Sequence, residues 1–402
     1  MKKNILLAIT GLSPQVVTET LYGIAQSRLE WPDEIQIITT KKGKEQARLG
    51  LITETKNTKS TLERFCTDYK MPMPKLLESD IYVVPNSEGN EVDDARSVDD
   101  QEALADFILK HVGNLCELNQ IRLHASIAGG RKTMTFFLGY AMTLFARAED
   151  RLSHVLVDED FENNREFYYP TPYTQVIPGR LTNQKLNTKD ASVILTEIPF
   201  IRQRNQIRPE VYQSLKNESY RDMTRMQNLA YLNNIELVLD IADVTLTVKS
   251  GDVAKTMDFK ASLLEFAFCL YAVRLNKIGI AMTRLNDGDY DKDEAQRYMQ
   301  ELDRLHGFHP TKGHYDQLLN LRNDHLSGRT RTIKSLKYGL SNTFVDQRKN
   351  TLKKKLRSVF PADFVDVISG VVEYQTGLCA TETRNRVTYN IVEGDYRPYP
   401  VK

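Results

Sequence analysis

Apolar runs and helically spaced apolar positions alternate through the first half of the chain. Residues Asn4 to Thr10 form a continuous apolar run that ends in Gly11, Ser13 and Pro14, and Val16, Val17, Thr20, Leu21, Ile24 and Ala25 then recur at helical spacing. That pattern predicts a buried strand, a polar turn and an amphipathic helix. Further strands are predicted over Glu34–Thr40, Asp80–Pro85, Ile121–Ile127 and Leu152–Val157, with a helix over Phe136–Ala146 and a last strand over Ile194–Arg202. Strands alternating with helices imply an α/β fold, a Rossmann-like parallel sheet covered on both faces.

Beyond Arg180 the pattern changes. Arg208–Leu232 reads as a polar helical connector, Ile235–Asp240 and Thr245–Val248 as short strands, and Leu263 to Val273 as an apolar helix. A second domain is therefore expected from residue 205, giving domains 1–204 and 205–402. At roughly 100–200 residues per domain, 402 residues leave room for this division.

Charge changes the picture only locally. Lys and Arg total 54 against 53 Asp and Glu, a net charge of +1 that names no partner. From Arg329 to Arg357, however, ten basic residues (Arg329, Arg331, Lys334, Lys337, Arg348, Lys349, Lys353, Lys354, Lys355 and Arg357) face one acid, Asp346. Phe344, Leu352, Leu356 and Phe360 keep helical spacing, so this helix can bury one side and offer Arg348, Lys349, Lys353, Lys354 and Arg357 to the phosphates of duplex DNA. Strands, core helix, basic helix and a terminal hairpin through Val387, Tyr389 and Ile391 have the order of a mostly helical, winged-helix-like domain.

Cys66, Cys116, Cys269 and Cys379 form no CxxC or Cys/His cluster, so neither a disulfide scaffold nor a zinc finger is expected, and no metal or cofactor is called for. The first apolar run is too short for a signal segment, and no stretch approaches 18 apolar residues. A cytoplasmic protein without membrane contact is the expectation.

In open α/β sheets ligands sit outside the carboxyl ends of the strands. The turns after the first and fourth strands, Thr10-Gly11-Leu12-Ser13 and Ala128-Gly129-Gly130-Arg131-Lys132-Thr133, are rich in small and hydroxyl residues and open helix N-termini, as a phosphate site requires. Two ordinary strand-to-helix turns would read the same way. The second turn is not a Walker A loop: Arg131 separates Gly130 from Lys132, and the earlier Gly is missing.

Four ordered segments, Gly11–Leu21, Asp93–Arg96, Ser126–Met134 and Leu152–Val157, resemble the CRISPR-associated CARF-domain proteins, and within them the ring-nuclease branch. The resemblance covers roughly the first 200 residues. It implies an antiviral-defence accessory of type III CRISPR systems, a homodimer binding a cyclic oligoadenylate, tetra- or hexa-adenylate, across its two-fold axis. Carried onto this sequence, it makes Thr10, Gly11, Ser13, Gln15, Ala128, Gly129, Gly130, Arg131, Lys132 and Thr133 the ligand-binding set. Ring opening is expected to be metal-independent, with the ribose 2′-hydroxyl attacking its neighbouring phosphate to leave a 2′,3′-cyclic phosphate. Lys132 or Arg131 would stabilise charge on the phosphoryl oxygens, and Ser13 or Thr10 would orient the ribose. His154 is expected to be structural. The alternatives are a non-catalytic, ligand-controlled DNA-binding regulator and a HEPN ribonuclease. The HEPN pattern of Arg, four residues, then His is broken at Leu321–Gly328, where Ser327 replaces the His, and at Arg384-Asn385, where Tyr389 does; Arg304 and His309 keep the spacing without the Asn.

Overall fold

The computed structural model describes residues 2–27, 29–54, 58–93, 97–162, 164–179, 184–207, 212, 219–228, 235–251, 253–277, 284–305, 335–362, 364–365, 380–383 and 386–391. Outside these lie Asp94, Ala95 and Arg96 of the second segment, most of the expected connector, Arg329, Arg331 and Lys334, and His309, Leu321–Gly328, Arg384 and Asn385 of the HEPN comparison. The chain divides into two compact units, Met1–Arg221 and Asp222–Lys402.

In the first unit β1 (Lys3–Ile9), α1 (Gln15–Gln26), β2 (Glu34–Thr39), α2 (Lys41–Ala47), α3 (Thr61–Tyr69), β3 (Ile81–Val83), α4 (Val98–Glu117), β4 (Ile121–Ser126), α5 (Lys132–Phe145) and β5 (Arg151–Val157) follow one another. A small hairpin of β6 (Val176–Pro178) and β7 (Lys185–Asn187) precedes β8 (Val193–Glu197). The main sheet has the order β3-β2-β1-β4-β5-β8, parallel throughout except where β8 runs antiparallel to β5. Every residue of β2 is buried, which requires cover on both faces of the sheet. Val17, Leu21 and Ile24 of α1 pack with Leu6, Ala8, Ile35, Ile37 and Phe65 in one core. Helix α4 is set by a capping box: the Ser97 hydroxyl accepts the Asp100 N–H at 3.0 Å and the Asp100 carboxylate accepts the Ser97 N–H at 3.1 Å.

The mixed α/β architecture agrees with the sequence pattern, with one boundary corrected. The expected last strand, Ile194–Arg202, ends at Glu197, because Pro199 has no N–H to offer the sheet. The segment beyond it supports the helix ends instead: Arg204 donates to the Cys116 and Phe145 carbonyls at 2.7 and 2.9 Å, placing a cation at the carboxyl ends of α4 and α5.

After α6 (Tyr220–Gln227), the second unit contains β9 (Ile235–Asp240), β10 (Thr245–Ser250), β11 (Val253–Asp258), α7 (Leu263–Lys277), α8 (Lys292–Leu305), α9 (Asn342–Leu356), β12 (Ala380–Thr383) and β13 (Arg386–Ile391). Its antiparallel sheet has the order β11-β10-β9-β13-β12. Strand β11 was not expected: Gly251, at φ +57°, turns the chain back into a third strand before the helix begins. The terminal hairpin exists, and β13 pairs with β9 along its full length, so it belongs to a five-stranded sheet rather than standing as a free wing. Helix α7 is apolar and buried over the stretch from Phe266 to Val273, against Tyr298 and Met299 of α8 and Phe344, Leu352 and Leu356 of α9.

Candidate functional site

The sheet reverses its winding between β1 and β4: the chain proceeds from β1 to β2 and β3 on one side and from β4 to β5 on the other. A crevice opens outside the strands at such a switch point. Here the turns after β1 and β4 meet, and glycine makes the approach possible. A Cβ on Gly130, whose φ is +87°, would stand 2.2 Å from Ile9 Cγ2, and one on Gly129 would stand 2.9 Å from the Ile9 carbonyl oxygen.

Beside these turns is a pocket of about 160 Å³ lined by Ser13, Gln15, Val16, Glu19, Ala128, the β5 residues His154 to Val157, and Glu162 and Asn164 from the segment after β5. The lining is therefore built from three strand ends' worth of chain, and the third contribution was not foreseen. Helix α1 is moored to that segment, since Gln15 Nε2 donates to the Arg165 carbonyl at 3.1 Å and Thr18 Oγ1 to the Tyr168 carbonyl at 2.6 Å.

Of the residues expected to bind a ligand, Ser13, Gln15 and Ala128 line the pocket. Gly11, Gly129, Gly130, Arg131, Lys132 and Thr133 lie on the same two turns outside the lining, with Arg131, Lys132 and Thr133 exposed. Thr10 is fully buried beneath them, its backbone held by Ile38 and by the Thr39 hydroxyl. Arg131 is the N-cap of α5 and makes no side-chain cap bond, so the first N–H groups of that helix receive no side-chain cap.

Two lining residues carry chemistry to which the sequence assigned no functional role. His154 lines the pocket instead of serving only the strand. Glu19, one helical turn after Gln15, is 7% exposed, no described side chain pairs with it, and burial, reinforced by the charge of Glu162, raises its carboxyl to about 8. The available signal was Gln15 and Glu19 at i, i+4, two long polar side chains on one face of a helix that is otherwise largely apolar. Among the described residues no three His, Cys, Asp or Glu side chains cluster as metal ligands would.

In the second unit the basic residues separate into two kinds. Lys354 and Arg357 are exposed on and just after α9, while Lys349 and Lys353 are half-buried. Arg348 is not offered outward: it donates to Glu265 of α7 at 2.7 Å in an ion pair with side-chain exposures of 11% and 9%. The expectation for Arg348 is corrected by its position beside Phe344 on the inward face of α9.

The first unit is thus a mostly parallel α/β domain with a polar crevice at its switch point, flanked by glycine turns and by Arg131 and Lys132. The chain belongs to the CRISPR-associated protein NE0113 family, whose model matches residues 13–230 and so spans the crevice. Among solved structures it is similar to Enterococcus italicus Csm6 bound to cyclic hexa-2′-fluoro-hexa-dAMP, at 9% identity and a TM-score of 0.30, covering 92% of this chain and 100% of that one. No curated protein matches the chain. Among the described residues, no helix is long and apolar enough to cross a membrane.

Proposed function

We propose that this CRISPR-associated protein is a type III accessory whose first unit is a CARF domain, binding a cyclic oligoadenylate across the two-fold axis of a homodimer and opening the ring. The observation that carries this reading is the crevice itself: a pocket at the switch point, with Ser13 in its lining and Arg131 and Lys132 exposed on the adjoining turn. Each phosphate of a cyclic oligoadenylate needs N–H donors or a cation, and the start of α5 provides both kinds. An exposed aromatic face on α5, where Phe136 is 59% exposed and stacks on Tyr140, supports a second copy beside these cations.

Ring opening by the ribose 2′-hydroxyl requires that the attacking oxygen, phosphorus and leaving oxygen be held in line. Ser13 orients the ribose, and Lys132 and Arg131 stabilise negative charge on the phosphoryl oxygens. The step leaves a 2′,3′-cyclic phosphate and a free 5′-hydroxyl, and EDTA leaves its rate unchanged. The second unit meets nucleic acid through Lys349, Lys353, Lys354 and Arg357; salt-sensitive duplex binding is the mark of that role.

Purified protein incubated with labelled cyclic tetra- and hexa-adenylate tests this reading. Linear products ending in 2′,3′-cyclic phosphate support a ring nuclease. Binding without products leaves the ligand-controlled regulator, favoured by the exposed Lys354 and Arg357, and no binding removes both.

A further inference from the structure

Glu19 is the one buried carboxylate described in the molecule that lacks a cation. Glu34 has Lys3 and Lys75, Asp80 has Lys75, Asp150 has Arg147, Glu265 has Arg348 and Glu301 has Arg274. Glu19 is as buried as these, yet its surroundings are the pocket and the acid Glu162. Gln15 Oε1, one turn earlier on the same helix, also finds no partner. Buried polar groups are ordinarily satisfied, and a buried amide oxygen without a partner beside a carboxyl without a cation, both lining one pocket, point to a ligand that completes them.

Size and donor pattern narrow that ligand. A cavity of about 150 Å³ accepts an aromatic ring such as benzene, so this pocket of about 160 Å³, open on one side, suits one nucleobase rather than a whole ring of nucleotides. Burial and Glu162 keep the Glu19 carboxyl protonated at neutral pH. A protonated carboxyl offers one donor and one acceptor side by side, whereas an ionised one only accepts. The N7 and N6 edge of adenine is an acceptor beside a donor; the corresponding edge of guanine is two acceptors.

We propose that Glu19 reads the base of the bound nucleotide, its carboxyl O–H donating to a ring nitrogen of adenine while its other oxygen accepts from the N6 amino group. This rests on the ring-binding reading above and adds to it the source of adenine selectivity. Arg131 and Lys132 would hold the phosphates, and Glu19, deeper in, would reject bases lacking the acceptor–donor pair.

The test is titration of the full chain with cyclic hexa- and tetra-adenylate, and with the matching cyclic inosinates, from pH 6 to 9.5. Wild-type affinity for the adenylate should fall above pH 8, by about tenfold per pH unit for each pocket. Glu19→Gln, whose amide keeps one donor and one acceptor, should bind without that fall, and Glu19→Leu should bind at least tenfold more weakly at every pH and lose discrimination against inosinate. Circular dichroism and melting of each variant confirm that it folds; if Glu19→Leu does not, Glu19→Gln and the wild-type profile decide alone. Glu162 and His154 are the other titratable lining groups, so Glu162→Gln and His154→Gln are titrated alongside, and a fall that disappears only with His154→Gln overturns the assignment. So does a Glu19→Leu variant that binds normally and cleaves slowly, which would put Glu19 in the chemistry. Wild-type protein that binds no ring at any pH overturns the ring-binding reading itself and this inference with it.

Discussion

The interior of the second unit and the pocket of the first treat buried charge in opposite ways. Between α7 and its neighbours, Glu265 meets Arg348 at 2.7 Å and Glu301 meets Arg274 at 2.8 Å, each acid closed off by a guanidinium. In the pocket, Glu19 has no such partner, and the exposed cations of its neighbourhood lie on glycine turns outside the lining. A buried carboxylate paired with a guanidinium holds packed helices in place; a buried carboxyl without a cation stays protonated, costs stability once it must ionise, and persists where a ligand will meet it.

Breaking a pair should have the largest effect. Glu265→Ala leaves the Arg348 guanidinium buried without its acid, and denaturant unfolding should show a loss of about 3–5 kcal/mol from the second unit. An unchanged midpoint would mean that water already reaches the pair. The mirror experiment, replacing Arg131 and Lys132 together by Ala, should leave stability within about 0.5 kcal/mol because both are exposed. Cyclic adenylate affinity should fall roughly a hundredfold, from two charged hydrogen bonds of about 1.5–3 kcal/mol each, partly offset by neighbouring N–H groups.

The contrast sharpens further in pH. Glu19 ionises at about 8 in the folded chain and near 4.5 when unfolded. Because the folded value is the higher one, the unfolded chain releases this proton first, and stability falls as pH rises from 4.5 to 8. Glu19→Gln removes that loss, so its melting temperature should match wild type at pH 4 and exceed it at pH 8. A gain that is equal at both pH values would show that the carboxyl ionises alike in the folded and unfolded chains. The smallest effect expected on binding is steric: Gly130→Ala puts a Cβ 2.2 Å from Ile9 Cγ2 at φ +87°, and should cost about 1–3 kcal/mol in thermal unfolding while weakening ligand binding only through the displaced turn.

How far the sequence carried differs between the same two regions. Strand β1 was legible as a continuous apolar run, and β2, β4 and β5 as short segments of apolar residues broken by few polar ones, and the two glycine turns followed from where β1 and β4 stop. Glu19 sat inside a recognised segment without a role, since its burial depends on β5 and on the chain after it, more than a hundred residues away. In the second unit, the spacing of Phe344, Leu352 and Leu356 placed the buried side of α9 correctly. Arg348 was read as facing outward because a charged residue at the border of an apolar stripe goes inward only when an acid such as Glu265 waits there, and that pairing is tertiary. Strand β11 escaped notice for a similar reason: Val253–Asp258 has a weak alternating pattern of its own and is held by its register with β10.

The central claim is that the crevice at the β1/β4 switch point takes a cyclic oligoadenylate shared between two copies of the chain. Native mass spectrometry of the full-length protein with cyclic tetra- and hexa-adenylate measures this directly. The account requires a dimer carrying one ring, with occupancy lost in the Arg131→Ala/Lys132→Ala variant. A protein that remains free of both rings, or that carries one ring per isolated chain, would contradict it.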